Sequence, residues 1–86
     1  MYREFLSKTL NIKVDSLRDE LDLKLTLKAR LTKKELKILN ALINGGDIKE
    51  LCNRLNIDKK RYIELKSRID KKLKKIDFKR NKTTQS

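Results

Sequence analysis

The side chains of this sequence that can do chemistry are overwhelmingly cationic. Lysine and arginine total 24 against 12 aspartates and glutamates in 86 residues, with a single cysteine and no histidine. Cys52 alone, without histidine, cannot supply most metal sites, a Cys–His nucleophile, a Ser–His–Asp triad or an internal disulfide. A chain of this length buries only roughly 60–65% of the surface its unfolded form exposes, which leaves one modest core and no room to roof an active site. The expectation is therefore a protein that is not an enzyme and holds no cofactor. What remains is attraction of polyanions, and the charges are unevenly placed. Residues 1–31 hold seven basic and five acidic groups, residues 32–58 five and four, and residues 59–86 twelve and three, a net +9 in the last third. Such a field draws nucleic acid first and an anionic membrane second, unless it is only a solvated lysine-rich surface.

Helices must position these charges. Proline is absent and glycine occurs only as the pair Gly45-Gly46, so starts are read from caps. Thr32-Lys33-Lys34-Glu35 has the pattern of a capping box, in which hydroxyl and carboxylate each accept from the other's backbone N–H. Asp47-Ile48-Lys49-Glu50 repeats it after the glycines, and Asp58 can cap a helix opening at Lys59. Between the caps the apolar spacing is helical. Leu36, Leu39, Leu42 and Ile43 share a face of a helix over 33–44. Ile48, Leu51, Cys52 and Leu55 do so for a short helix ending near Asn56, and Tyr62, Leu65, Ile69, Leu73 and Ile76 form a stripe along a longer one over 59–76. Asn56 tolerates left-handed backbone and Ile57 fills the angle between the last two helices. In steps of 100°, Lys60, Glu64, Ser67 and Lys71 lie opposite Tyr62, flanked by Ile63, Arg68, Lys74 and Lys75.

The run Leu31-Thr32-Lys33-Lys34-Glu35 … Leu39 … Gly45 … Lys49-Glu50-Leu51-Cys52-Asn53-Arg54-Leu55-Asn56-Ile57 … Ile69 … Lys72-Leu73 resembles the LuxR/GerE-type helix-turn-helix, and is similar as well to region four of sigma factors. The resemblance covers about residues 31–76. It implies that the helix over 59–76 enters the DNA major groove with Ile63, Glu64 and Ser67 toward base edges. Isoleucine can meet a thymine methyl, glutamate can accept from a cytosine amine, and serine can serve either role. Lys60, Arg61, Arg68, Lys71 and Lys75 would then neutralise phosphates and fix register. Cys52 stands where the family has a small alanine between packed helices, which implies a structural cysteine rather than a redox sensor. The family's usual residues are Ser or Thr at Asp58, Thr at Arg61 and Val at Tyr62. The family also has a fourth, dimerising helix, for which the ten residues after Ile76 are too short and polar; the expectation is a basic, frayed tail over 77–86, with Phe78 tucked back and Lys79, Arg80 and Lys82 free to touch phosphate.

The first thirty residues are expected to form a separate helical segment for packing or dimerisation. Tyr2, Phe5 and Leu6 mark a short helix up to about Leu10. Val14, Leu17, Leu21 and Leu25 form a second helical series capped by Asp15 or Ser16, with Leu23 and Leu27 off its main face, although Leu21 to Leu27 also alternate as a strand would. If these leucines face a partner, Leu17, Leu21 and Leu25 make the surface, for a second copy or for RNA polymerase or a sigma factor. No apolar run approaches the ~18 residues of a membrane span, and no signal-peptide apolar core is present. The expectation is an all-α, cytoplasmic, nucleoid-associated regulator of transcription that binds double-stranded DNA sequence-specifically. The alternatives are a polymerase- or sigma-docking protein and a nonspecific nucleoid-type DNA-binding protein.

Overall fold

The computed structural model describes residues 1–80. Five helices follow in order: α1 (Tyr2–Leu10), α2 (Glu20–Arg30), α3 (Lys33–Asn44), α4 (Ile48–Leu55) and α5 (Lys59–Lys75), with a single 3-10 turn at Val14–Ser16. The architecture is all-α. Among the described residues the β-type pairing is limited to an isolated antiparallel bridge between Leu17 and Lys79.

Local chemistry sets the bounds of the last three helices. The Thr32 hydroxyl accepts from the Glu35 N–H at 3.2 Å while Glu35 Oε1 accepts from the Thr32 N–H at 2.9 Å, a complete capping box for α3. Asp47 accepts from the Lys49 N–H at 2.9 Å and opens α4, and Asp58 accepts from the Arg61 N–H at 2.7 Å and opens α5. Such caps contribute about 1 kcal/mol each. Gly45 ends α3 at φ 71° and Asn56 ends α4 at φ 57°, both left-handed, and glycine and asparagine adopt that geometry at least cost.

The leucine-rich segment departs from its sequence reading. Val14, Asp15 and Ser16 make one 3-10 turn, Leu17 is extended at φ −90° and ψ 155°, and α2 begins only at Glu20 with Asp19 at its N-cap. The backbone around Leu17 is committed elsewhere: the Arg18 N–H donates to the Phe78 carbonyl at 3.0 Å, and the Arg80 N–H donates to the Ser16 carbonyl at 2.6 Å. Interrupting the helix there breaks the phase that would have aligned Leu17 with Leu21 and Leu25. Leu23 and Leu27 are the buried pair of α2, and Leu21 and Leu25 face solvent. Leu23 and Leu27, expected off the main face, are thus the packed face of α2, and Leu17 is separated from Leu21 and Leu25.

One cluster unites all five helices. Tyr2, Leu6, Leu17, Leu23, Leu27 and Leu31 bury against Ile38 and Leu39 of α3, Leu51 of α4, and Leu65, Ile69 and Leu73 of α5. Residues 1–30 therefore complete the core of the helices that follow. A carboxylate supports this packing: Glu20 of α2 accepts from the Tyr2 and Arg3 backbone N–H groups at 2.8 and 3.1 Å, capping α1 from a different helix. Residues 77–80 are also part of the body: Phe78 is tucked back as expected, whereas Lys79 and Arg80 lie in a paired strap and not in a frayed tail. Phe78 is 1% exposed, a burial whose loss by truncation to alanine costs roughly 3–5 kcal/mol. Lys82 and the rest of the expected tail lie outside the described residues.

Candidate nucleic-acid interface

Helix α5 is built with two chemically distinct sides. Leu65, Ile69 and Leu73 recur every four residues and are at most 3% exposed, so this stripe fixes the rotation of the helix on the core. Lys72, at the edge of the stripe, locks that rotation: its Nζ donates to Glu35 Oε1 at 2.6 Å. Glu35 is 1% exposed and receives the Thr32 N–H on the same oxygen. Burial pushes its carboxyl up, but Lys72 and Thr32 outweigh burial and hold it below the ordinary carboxylate range. Lys72 is thereby assigned to packing α5 on α3, and the cations on the far side are left to solvent.

Ile63, Glu64 and Ser67 are all exposed, as are Lys60, Arg61, Arg68, Lys71 and Lys75. The eight residues expected to form the interface thus lie on the surface side of one helix. At 1.5 Å per residue its 17 residues extend about 25 Å, and a helix, roughly 10–12 Å across with its side chains, matches a major groove about 12 Å wide. Two ion pairs run along the surface. Arg61 Nη1 lies 3.4 Å from Glu64 Oε1 and Lys66 Nζ lies 3.9 Å from Asp70 Oδ2. Glu64 therefore has a cation one turn before it, and Lys60, Arg68, Lys71 and Lys75 are in no ion pair among the described residues.

The turn Asn56-Ile57-Asp58 sets α4 against the start of α5 and leaves a cleft of about 510 Å³ between them. Its apolar walls are Ile48, Cys52, Ile57, Tyr62 and Ile63, with Lys49 and Lys59 on the wall as well. Ile63 is 56% exposed, an unusual placement for isoleucine that a packing argument does not explain. Tyr62 is half-buried, and burial, with Cys52 and Asp70 nearby, pushes its phenol above the ordinary tyrosine range. Cys52 is partly buried in the cleft, as a small packing residue would be.

The expected partner surface on the N-terminal segment is divided. Leu21 and Leu25 are 66% and 58% exposed on the outer face of α2, whereas Leu17 is fully buried and cannot belong to a surface. One further cation escaped the sequence reading. Lys13 comes to line one groove with Lys79 and Arg80, both expected in a frayed tail, only because residues 77–80 fold back, and nothing in its local sequence signals it. Among the described residues no cluster of His, Cys, Asp and Glu could hold a metal ion, and no helix is long and apolar enough to cross a membrane. No family model, curated protein or solved structure matches the chain.

Proposed function

We propose that the protein binds double-stranded DNA sequence-specifically and regulates transcription, with α5 inserted in the major groove as the second helix of a helix-turn-helix. The observation that carries this reading is the exposed side of α5, where Ile63, Glu64 and Ser67 are grouped with Lys60, Arg61, Arg68, Lys71 and Lys75 on a helix whose opposite stripe is buried. Short and polar or apolar groups suited to base edges thus lie among long cations suited to phosphates, which is the division of labour duplex recognition needs. The resemblance of residues 31–76 to LuxR/GerE-type domains and to sigma region four supports the same reading, and so does the net positive charge of the chain. A protein of this kind works in the cytoplasm at the nucleoid.

We propose further that two copies associate through α2, where Leu21 and Leu25 are exposed; docking of the same pair on RNA polymerase or a sigma factor is the alternative. One recognition helix reads only a few base pairs, so pairing two would raise specificity. Selection of bound sites from a random duplex pool tests the whole reading. A defined motif is expected, with two-fold symmetry if copies pair. Recovery of no motif despite tight binding points instead to a nucleoid-type protein that needs only the charge.

A further inference from the structure

Past the end of α5 the chain builds a second cationic surface from parts 63 positions apart in sequence, at Leu17 and Arg80. Residues 77–80 lie antiparallel to residues 16–18, held by the Arg18–Phe78 and Arg80–Ser16 backbone hydrogen bonds. Phe78 is sunk in the core, and the Arg80 guanidinium donates to the Leu17 carbonyl at 3.3 Å. This strap makes one wall of a groove of about 400 Å³, and the chain between α1 and the 3-10 turn makes the other. The groove is lined by Asn11, Ile12, Lys13, Ser16, Lys79 and Arg80: three cations, a hydroxyl and an amide, without a carboxylate. Two carboxylates engage residues of the groove from outside its lining. Asp77 accepts from the Lys79 N–H at 3.1 Å, and Asp19, 3.7 Å from Arg80, lines a separate groove with Arg18 and Asp22. Among the described residues, no ion pair involves Lys13 or Lys79. In sequence the strap follows within a few residues of the cationic last turn of α5, where Lys74 and Lys75 are exposed.

We infer that this groove binds a backbone phosphate of the same duplex that α5 reads, so that Lys13, Lys79 and Arg80 extend the contact beyond the recognition helix. The inference rests on the proposed DNA-binding reading and goes beyond it by giving the N-terminal segment a direct part in the contact. The Arg80 side chain has a structural role in the strap, whereas the side chains of Lys13 and Lys79 are exposed and their replacement leaves the strap's backbone hydrogen bonds in place.

The test is duplex binding by the full chain across a salt series, for the wild type and a Lys13→Ala, Lys79→Ala double variant. Loss of the groove contact lowers the magnitude of the slope of log K against log salt by roughly one to two, and weakens all sequences alike. Lys13→Arg with Lys79→Arg keeps the charge and is expected to keep the slope. Lys13→Gln alone, which leaves the strap untouched, is expected to lower it by roughly one. A control with Lys8→Ala and Lys28→Ala removes the same charge from the exposed sides of α1 and α2 and should leave the slope unchanged. A wild-type slope in the alanine double variant, or an equal loss in the control, overturns the groove while α5-dependent binding stands. A wild type that binds no duplex overturns both readings.

Discussion

Ser67 and Lys71 stand one turn apart on the exposed side of α5, yet they offer a duplex different things. A lysine delivers charge to a phosphate whatever the sequence, whereas serine donates and accepts at a base edge. Lys71→Ala is therefore expected to weaken every duplex about equally and to lower the salt slope by roughly one. Ser67→Ala and Glu64→Ala should relax preference at particular base pairs, by ~1–3 kcal/mol for a bidentate contact and less for a single bond. Glu64 is the sharper case because Arg61 lies 3.4 Å from it. If Glu64→Ala tightens binding to all sequences alike, the carboxylate only repels the backbone and reads nothing. On the buried side, Glu35 gives a prediction of a different kind. Its carboxyl is held below the ordinary range in the folded protein, so in the acid range the unfolded chain binds the extra proton and stability rises with pH. That contribution is complete above the unfolded value, near pH 4.5, and is lost as pH falls through the lower folded value. Lys72→Met removes the partner and leaves burial to act on the carboxyl. Denaturant titrations should then show a loss of roughly 1–3 kcal/mol at pH 7 and a smaller difference between pH 7 and pH 3.5 than in the wild type. An unchanged acid limb in Lys72→Met would assign that limb to Glu20, whose carboxyl is also held low in spite of burial, by the Tyr2 and Arg3 amides.

Among the elements, α2 separates folding from association. Leu23 and Leu21 are two positions apart, but one is fully buried and the other 66% exposed. Leu23→Ala leaves a cavity and is expected to cost roughly 2–5 kcal/mol. Leu21→Asp touches no packed surface and is expected to change stability by about 0.5 kcal/mol or less. Light scattering of the same variant tests the proposed pairing of copies. Self-association at tens of micromolar in the wild type should disappear in Leu21→Asp, with weak binding to single half-sites retained. A monomeric wild type at that concentration removes the pairing and leaves Leu21 and Leu25 to another partner.

For the whole molecule, affinity for DNA on the proposed reading is dominated by charge. Five phosphate contacts from Lys60, Arg61, Arg68, Lys71 and Lys75 predict a slope of log K against log salt of about −4 to −5, and the groove beside the strap adds to it. A flat response between low and physiological salt would contradict duplex binding through this surface. Orientation of the charges depends on the shared core, because α1 and α2 complete the packing against which α3 and α5 are set.

The last three helices were legible because their signals are local. Thr32, Asp47 and Asp58 cap through side chains two or three residues from the amides they bind, and the stripe Leu65, Ile69, Leu73 recurs at the period of the helix itself. The surface side of α5 followed from the same arithmetic, since residues opposite a buried stripe must face solvent. The face of α2 and, beyond the burial of Phe78, the pairing of residues 77–80 with residues 16–18 were not legible. Leucines at 17, 21, 23, 25 and 27 satisfy more than one helical phase as well as a strand, so periodicity alone could not choose among them. The choice was made by the hydrogen bonds that the Arg18 N–H donates to the Phe78 carbonyl and the Arg80 N–H to the Ser16 carbonyl, which hold the chain extended at Leu17 ahead of α2 at Glu20. Contacts between residues sixty or more positions apart leave no periodic trace in either segment. The last three helices and their charge could therefore be read along the chain, whereas the buried leucines of α2 and the groove at Lys13 and Lys79 were decided only when residues 77–80 came together with residues 16–18.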